Sequence, residues 1–167
     1  SAYQQYLKGI ALLPGRKVAD MRKALGHFER AIEIDPNYAR AYAMASIAIG
    51  LIGEYTTDTP EMLSRRDRYT ERALELPPDL GEAHIAQANR LRAIGDLAGA
   101  QKAYQRGIAL APSYSSGYQW YGEVLFYEIG DPEQGLPMFE RALSLDPLSP
   151  VVRITYSSAL ANAGRLE

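Results

Sequence analysis

The sequence predicts an all-α chain folded as an α-α superhelix, a solenoid of about four and a half stacked helical hairpins. Three observations predict it. A nine-residue phrase returns along the chain, small residues and an aromatic recur at fixed places within each copy, and a proline closes each copy. The phrase Phe28-Glu29-Arg30-Ala31-Ile32-Glu33-Ile34-Asp35-Pro36 returns as Thr70-Glu71-Arg72-Ala73-Leu74-Glu75-Leu76-Pro77-Pro78. It returns again as Tyr104-Gln105-Arg106-Gly107-Ile108-Ala109-Leu110-Ala111-Pro112 and as Phe139-Glu140-Arg141-Ala142-Leu143-Ser144-Leu145-Asp146-Pro147. The closing prolines stand 42, 34 and 35 residues apart. The underlying period is about 34, with one long insertion and one of a single residue, and each unit is a supersecondary element that buries its apolar face against its neighbours.

The units read as 2–38, 39–80, 81–114 and 115–149, followed by a half unit, 150–167, within a single domain. The cleanest is 81–114. His84, Gln87, Ala88 and Leu91 share one face of its first helix, spaced three, one and three apart. Ala100, Tyr104 and Gly107 follow in the second helix, small then aromatic then small, so two backbones can approach while the ring fills the space beside them. Gly95-Asp96 supplies a helix stop and the next cap. The fourth unit repeats the pattern with Tyr118, Tyr121, Gly122 and Leu125, then Gly135, Phe139 and Ala142. Its second helix carries Pro137, which lacks an amide hydrogen and opposes the carbonyl of Glu133, so a distorted first turn or a start near Leu136 is expected.

The second unit keeps Tyr42, Ala45, Ser46 and Ile49 but adds eight residues around Gly53–Pro60, predicting a longer loop and an extended second helix capped at Thr59-Pro60. The first unit has Gly9 at the packing place, extra loop around Pro14-Gly15, and then Ala24, Phe28 and Ala31. The half unit holds a helix from about Pro150 to Ala163 and reaches Gly164-Arg165-Leu166-Glu167 where a partner helix is expected to begin. That end, together with a first residue of Ser rather than Met, reads as part of a longer chain.

This combination of period, small residues, aromatics and closing prolines resembles the tetratricopeptide repeat, whose unit is two antiparallel helices. A finer resemblance lies in Tyr6-Leu7-Lys8-Gly9, in 35–43, in Gln119-Trp120-Tyr121 and in 145–150. These stretches are similar to tetratricopeptide regions that follow winged-helix, nucleotide-cyclase or kinase domains in larger bacterial regulators. The resemblance implies a protein-binding scaffold and no catalysis.

Composition agrees with that reading. The chain has 167 residues, 18 Lys+Arg against 20 Asp+Glu, and 47% hydrophobic residues. A net charge of -2 gives no global attraction for nucleic acid, so none is expected as a partner. No apolar run nears the roughly 20 residues that span a bilayer, so no membrane segment is expected. The expected compartment is the cytoplasm, or the periplasm if a parent chain is anchored. Cysteine is absent, and His27 and His84 lack ligand spacing, so neither metal nor cofactor is expected. No Gly-rich phosphate loop and no activated nucleophile is recognisable, which leaves catalysis without a candidate. Arg65, Arg66 and Arg68 alternate with Glu61, Asp67 and Glu71, suggesting a salt-bridged solvated face.

In a solenoid of this kind the first helices line a concave groove. Helical geometry puts Arg40, Ile47, Asn89, Arg92, Gln119, Trp120, Glu123 and Tyr127 on the groove side, the candidate site for a peptide or partner domain. Asn89 and Arg92 suit a peptide backbone or carboxylate, and Trp120 and Tyr127 suit anchoring. The alternative is that Trp120 packs between repeats and Arg92 pairs with Glu123. Relatives that clamp acidic chaperone tails carry Lys and Asn in the groove. The corresponding places here hold Ala43, Ile47, Ile85, Asn89, Gln119 and Glu123, and only Asn89 matches, so chaperone-tail binding is not expected. A second function class stays open, homodimerisation through a terminal helix exposing Val151, Val152, Ile154 and Leu160.

Overall fold

The computed structural model describes residues 1–164, and every regular element among them is helical. The hairpins are α1 (Ala2–Leu12) with α2 (Val18–Ile34), α3 (Ala39–Gly53) with α4 (Pro60–Glu75), and α5 (Gly81–Ala93) with α6 (Leu97–Leu110). In the fourth, α7 (Ser115–Glu123) continues into a π-helical stretch, Val124–Ile129, before turning back as α8 (Pro132–Leu145). A last helix, α9 (Pro150–Asn162), lies against α8, where the Tyr156 hydroxyl donates to Glu140 at 2.9 Å. Arg165, Leu166 and Glu167, the end of the expected half unit, lie outside the described residues.

The small-aromatic pattern does what its spacing implies. Phe28, Tyr104 and Phe139 occupy the same place in three units, and each is fully buried. Their rings press on the first helix of their own hairpin: a Cβ built on Gly9 would stand 2.5 Å from the Phe28 ring, and one on Gly122 would stand 2.9 Å from Phe139. Any larger residue there would force the helices apart, which is why an apolar chain uses glycine at a buried position despite its helix cost.

The two departures from the period are now located. The insertion of the second unit is shared between a longer loop and longer helices, α3 having 15 residues against 13 in α5 and α4 16 against 14 in α6, and the loop is closed by Thr59, whose hydroxyl accepts from the Met62 amide at 3.2 Å, and by Pro60 in the first turn. The single extra residue of the fourth unit lies in its first helix, since Pro78 to Asp96 spans 18 residues and Pro112 to Asp131 spans 19. A π turn absorbs one added residue without breaking a helix. It ends at Gly130, φ 80°, where the Asp131 amide donates back to the Leu125 carbonyl at 2.8 Å.

Of the two outcomes expected around Pro137, a helix start near Leu136 does not occur. Helix α8 starts at Pro132, with Asp131 accepting from the Gln134 amide at 3.1 Å, and continues through Pro137 to Leu145. Pro137 lies on the exposed side of α8, where a proline ring meets solvent rather than packed neighbours. The irregularity sits in the preceding helix, and Gly135 is its counterpart. A Cβ there would come within 2.8 Å of the Phe126 Cβ and 3.0 Å of the Phe126 amide nitrogen, so α8 rests directly on the π backbone.

Candidate functional site

Helices α3, α5 and α7 form the inner wall, and the wall is partly closed by the chain itself. At its centre Ile47 is 2% exposed, Gln119 3% and Trp120 3%. The corner between α1 and α2 reaches over them: Ile10, Leu13 and Arg16 share an apolar hollow of about 350 Å3 with Met44, Trp120 and Val152. The Arg16 guanidinium lies 5.7 Å from the Trp120 ring centroid, within cation–π range. Arg16 achieves this with a left-handed backbone, φ 50°, a conformation costly for a side-chain-bearing residue and held here by its surroundings. The accessible inner wall is therefore narrower than helical geometry alone implies. Trp120 is packed inside, edge-on to Tyr114 at 6.3 Å.

What stays open is a second, polar hollow of about 530 Å3. Among the sequence-selected positions, Ile47, Asn89, Arg92, Trp120 and Glu123 line it. Arg40 does not. It is exposed and pairs with Glu82 at 3.6 Å, beside a different depression. Tyr127 is 46% exposed and leans on Phe126 outside the hollow. Gln119 faces the neighbouring apolar hollow and donates to Glu123 at 3.1 Å.

Asn89 and Arg92 are held firmly. The buried Tyr104 hydroxyl donates to Asn89 Oδ1 at 2.5 Å, which turns the amide's two hydrogens away from that bond. Arg92 is gripped by Glu123 at 3.1 Å and Glu128 at 2.5 Å. Burial works against the Arg92 charge, but Tyr104 and the two carboxylates outweigh it and its pKa is raised. Desolvation likewise raises the Tyr104 pKa, with Arg92 opposing. Glu123 and Glu128 are five residues apart, about 140° around an ordinary α-helix, and it is the π turn that brings them to one side.

Four lining residues escape a reading by period: Glu54 and Asp58 from the inserted loop, Glu128 from the π stretch, and Arg66 from α4. Arg66 is 8% exposed, not part of a solvated face. Its spacing could have revealed it, since Arg66, Thr70 and Ala73 stand four and three apart along the buried stripe of α4. The cluster's ion pairs also differ from expectation. Arg65 bonds Glu29 of α2, and Asp67 bonds Arg90 of α5 at 3.2 Å, so the charges join helices instead of decorating one. His27 bonds Gln5 at 2.8 Å and His84 the Pro78 carbonyl at 2.9 Å, both consistent with satisfied structural rings. Among the described residues no group of three or more acidic or histidine side chains converges as a metal site, and no helix is long and apolar enough to cross a membrane.

No family model matches the chain. The Hsp70-Hsp90 organizing protein of Triticum aestivum is 33% identical over 98 residues, 54% of this chain but 14% of that protein, so the chain spans a small part of its relative. Among solved structures, TTC0263, a thermophilic TPR protein in Thermus thermophilus, aligns with a TM-score of 0.64 at 17% identity, over 96% of this chain and 100% of that one. The chain has the tetratricopeptide-repeat fold. Pseudomonas aeruginosa PilF aligns at 0.63 with 19% identity, over 98% of this chain and 69% of that one. YrrB, a TPR protein with an unusual peptide-binding site, aligns at 0.54 with 21% identity, over 90% and 73%.

Within the tetratricopeptide fold the terminal helix is better covered than its sequence implies. Val152 is 2% exposed and Val151 and Leu160 are half-buried, leaving Ile154, 67% exposed, as the one open position of the four.

Proposed function

We propose that this chain is a non-catalytic interaction scaffold that holds a polypeptide against its inner helices, within a larger bacterial regulatory protein. The observation that carries the reading is the 530 Å3 hollow on α3, α5 and α7, where Asn89 keeps amide donors that the fold does not use. An extended polypeptide presents carbonyl oxygens at regular intervals, and fixed donors are the means to hold them. The stretches similar to tetratricopeptide regions of bacterial regulators, such as Gln119-Trp120-Tyr121, support the wider context. The peptide-binding site named for YrrB and the chaperone partners named for the organizing protein belong to those proteins. Here the chaperone-clamp places at Ala43, Ile47 and Ile85 are apolar and buried, which argues against a basic clamp for an acidic tail.

The reading is tested by selecting binders from a random-peptide library and mapping them by amide chemical shifts. Bound peptides are expected to move Ser46, Asn89 and Glu123 far more than residues of α2, α4, α6 and α8. Replacing Asn89 with Leu should weaken them by up to about tenfold, the worth of one hydrogen bond. Binders that map to the outer helices, or that ignore Asn89→Leu, would refute it.

A further inference from the structure

This inference rests on the groove reading and concerns which polypeptide the hollow takes. Its lining holds four carboxylates, Glu54, Asp58, Glu123 and Glu128, against two guanidiniums, Arg66 and Arg92. The charges are not paired off. Arg92 is consumed by Glu123 and Glu128 together. Arg66 turns Nε and Nη2 toward Asp67, each at 3.3 Å, which lies outside the lining. The carboxylates of Glu54 and Asp58 make no hydrogen bond or ion pair with any described residue, and the Glu54 bond to the Gly50 carbonyl at 3.3 Å is made by its backbone amide. Desolvation raises the Glu54 pKa, and Glu123 adds to it more than Arg92 removes, although Arg16 opposes it more strongly than either.

The second, independent observation lies in the wall of the hollow. Arg66 has a side chain 10% exposed and is held by Asp67 through Nε and Nη2, while its Nη1, which bonds none of the described residues, is open to the hollow it lines and not buried without a partner. A guanidinium fixed on one side keeps its open nitrogen as a donor that an incoming carbonyl can reach. Arg66 Nη1 and the Asn89 amide thus offer donors, while Glu54 and Asp58 at the mouth offer acceptors and negative charge. One occupant satisfies both sets.

We infer that the hollow accepts a polypeptide carrying a basic side chain, Lys or Arg, with its main-chain carbonyls on Arg66 and Asn89 and its cation between Glu54 and Asp58. The inserted loop of the second unit then has a purpose that the period alone does not give it. Both acids come from the lengthened loop between α3 and α4, and the loop is folded so that the Asp58 carboxylate lies on Gly53, where a Cβ would meet it at 2.5 Å. An acidic peptide would meet like charge at Glu54 and Asp58, and a neutral one would add no cation to a lining with more carboxylates than guanidiniums.

Trp120, the chain's sole tryptophan, lines the hollow and reports on it. Three end-capped peptides, (Gly-Lys)4, (Gly-Ser)4 and (Gly-Glu)4, are titrated into the whole chain while Trp120 emission and amide shifts are followed. The lysine peptide is expected to bind at least fivefold more tightly than the serine peptide, and to weaken as salt rises from 20 to 300 mM, with about these magnitudes set by two partly sheltered ion pairs. The double variant Glu54→Gln, Asp58→Asn should lose about that fivefold advantage. Neither carboxylate makes a bond in the fold, so folding survives, as circular dichroism would verify, and Asp58→Asn alone should lose part of the advantage. A control, Glu33→Gln with Glu75→Gln on the outer helices, should change nothing.

Equal or tighter binding of the serine or glutamate peptide overturns the basic preference but leaves the groove reading intact if inner-wall amides respond. An equal loss in the control pair means diffuse charge attraction and overturns it too. If no peptide moves any inner-wall amide, the groove reading itself fails.

Discussion

The third and fourth hairpins are built from the same pattern, and they differ by one residue. In α5–α6 the repeat runs at its own period: Ala100 and Gly107 flank Tyr104, and Gly95, φ 83°, turns the chain into Asp96. In α7–α8 the same places are Gly135, Ala142 and Phe139, and the extra residue is wound into a π turn. The regular hairpin supplies anchored groups, Asn89 and Arg92. The irregular one supplies Glu128, which a regular helix would direct elsewhere. The inserted loop of the second unit behaves similarly, contributing Glu54 and Asp58 to the same hollow. Departures from the repeat thus add charge to a frame that the repeat itself makes rigid, as expected where loops and π bulges carry recognition on a packed scaffold.

The largest expected effect asks whether the two hairpins are equivalent in packing. Tyr104→Ala and Phe139→Ala remove fully buried rings and should each cost about 3–5 kcal/mol, read from denaturant midpoints at constant slope. A much smaller loss at Phe139 would show that the π turn loosens its hairpin. Next comes a reciprocal exchange at the equivalent small positions. Ala100→Gly should cost about 1 kcal/mol through helix propensity. Gly135→Ala should also cost about 1–3 kcal/mol, although propensity favours alanine, because the new methyl meets Phe126 backbone rather than a movable side chain. A stabilising Gly135→Ala would break the comparison by showing that the π backbone yields.

The smallest effect is electrostatic. The folded-state pKa of Glu54 lies above its ordinary value of 4.5, so the native state holds that proton more tightly than the unfolded chain. Its contribution is fully present below the ordinary value and is lost as pH rises through the folded-state pKa. The melting temperature of the natural chain should therefore fall relative to Glu54→Gln as pH rises from about 4 to 7, by roughly 1–2 °C given solvent screening. A difference independent of pH would mean that the carboxylate is fully hydrated.

Much of this was legible beforehand because the relevant interactions are local. Thr59-Pro60 and Gly95-Asp96 mark helix ends through bonds reaching five residues or fewer, and Phe28, Tyr104 and Phe139 pack within their own hairpins. Trp120 and Arg16 were not legible in the same way, and Arg66 was legible only through its spacing with Thr70 and Ala73. The Trp120 contact depends on the first unit folding across to the fourth, more than a hundred residues away in sequence. Arg66 looks like one of a solvated triplet until α4 is seen to turn it inward. The helix carrying Pro137 starts at Pro132 and not near Leu136, because Asp131 caps it from the turn that precedes the proline.

The amino-acid order by itself determined the hairpins, their stacking period and the places where two backbones touch, since those follow from side-chain volume at 3.6-residue spacing and from capping chemistry. Only the tertiary structure decided how much of the inner wall remained open, that one π turn would gather Glu123 and Glu128 around Arg92, and that Glu54 and Asp58 would stand at one mouth. Those outcomes depend on how several hairpins curve together, and the curvature is a sum of small contacts that no single stretch of sequence contains.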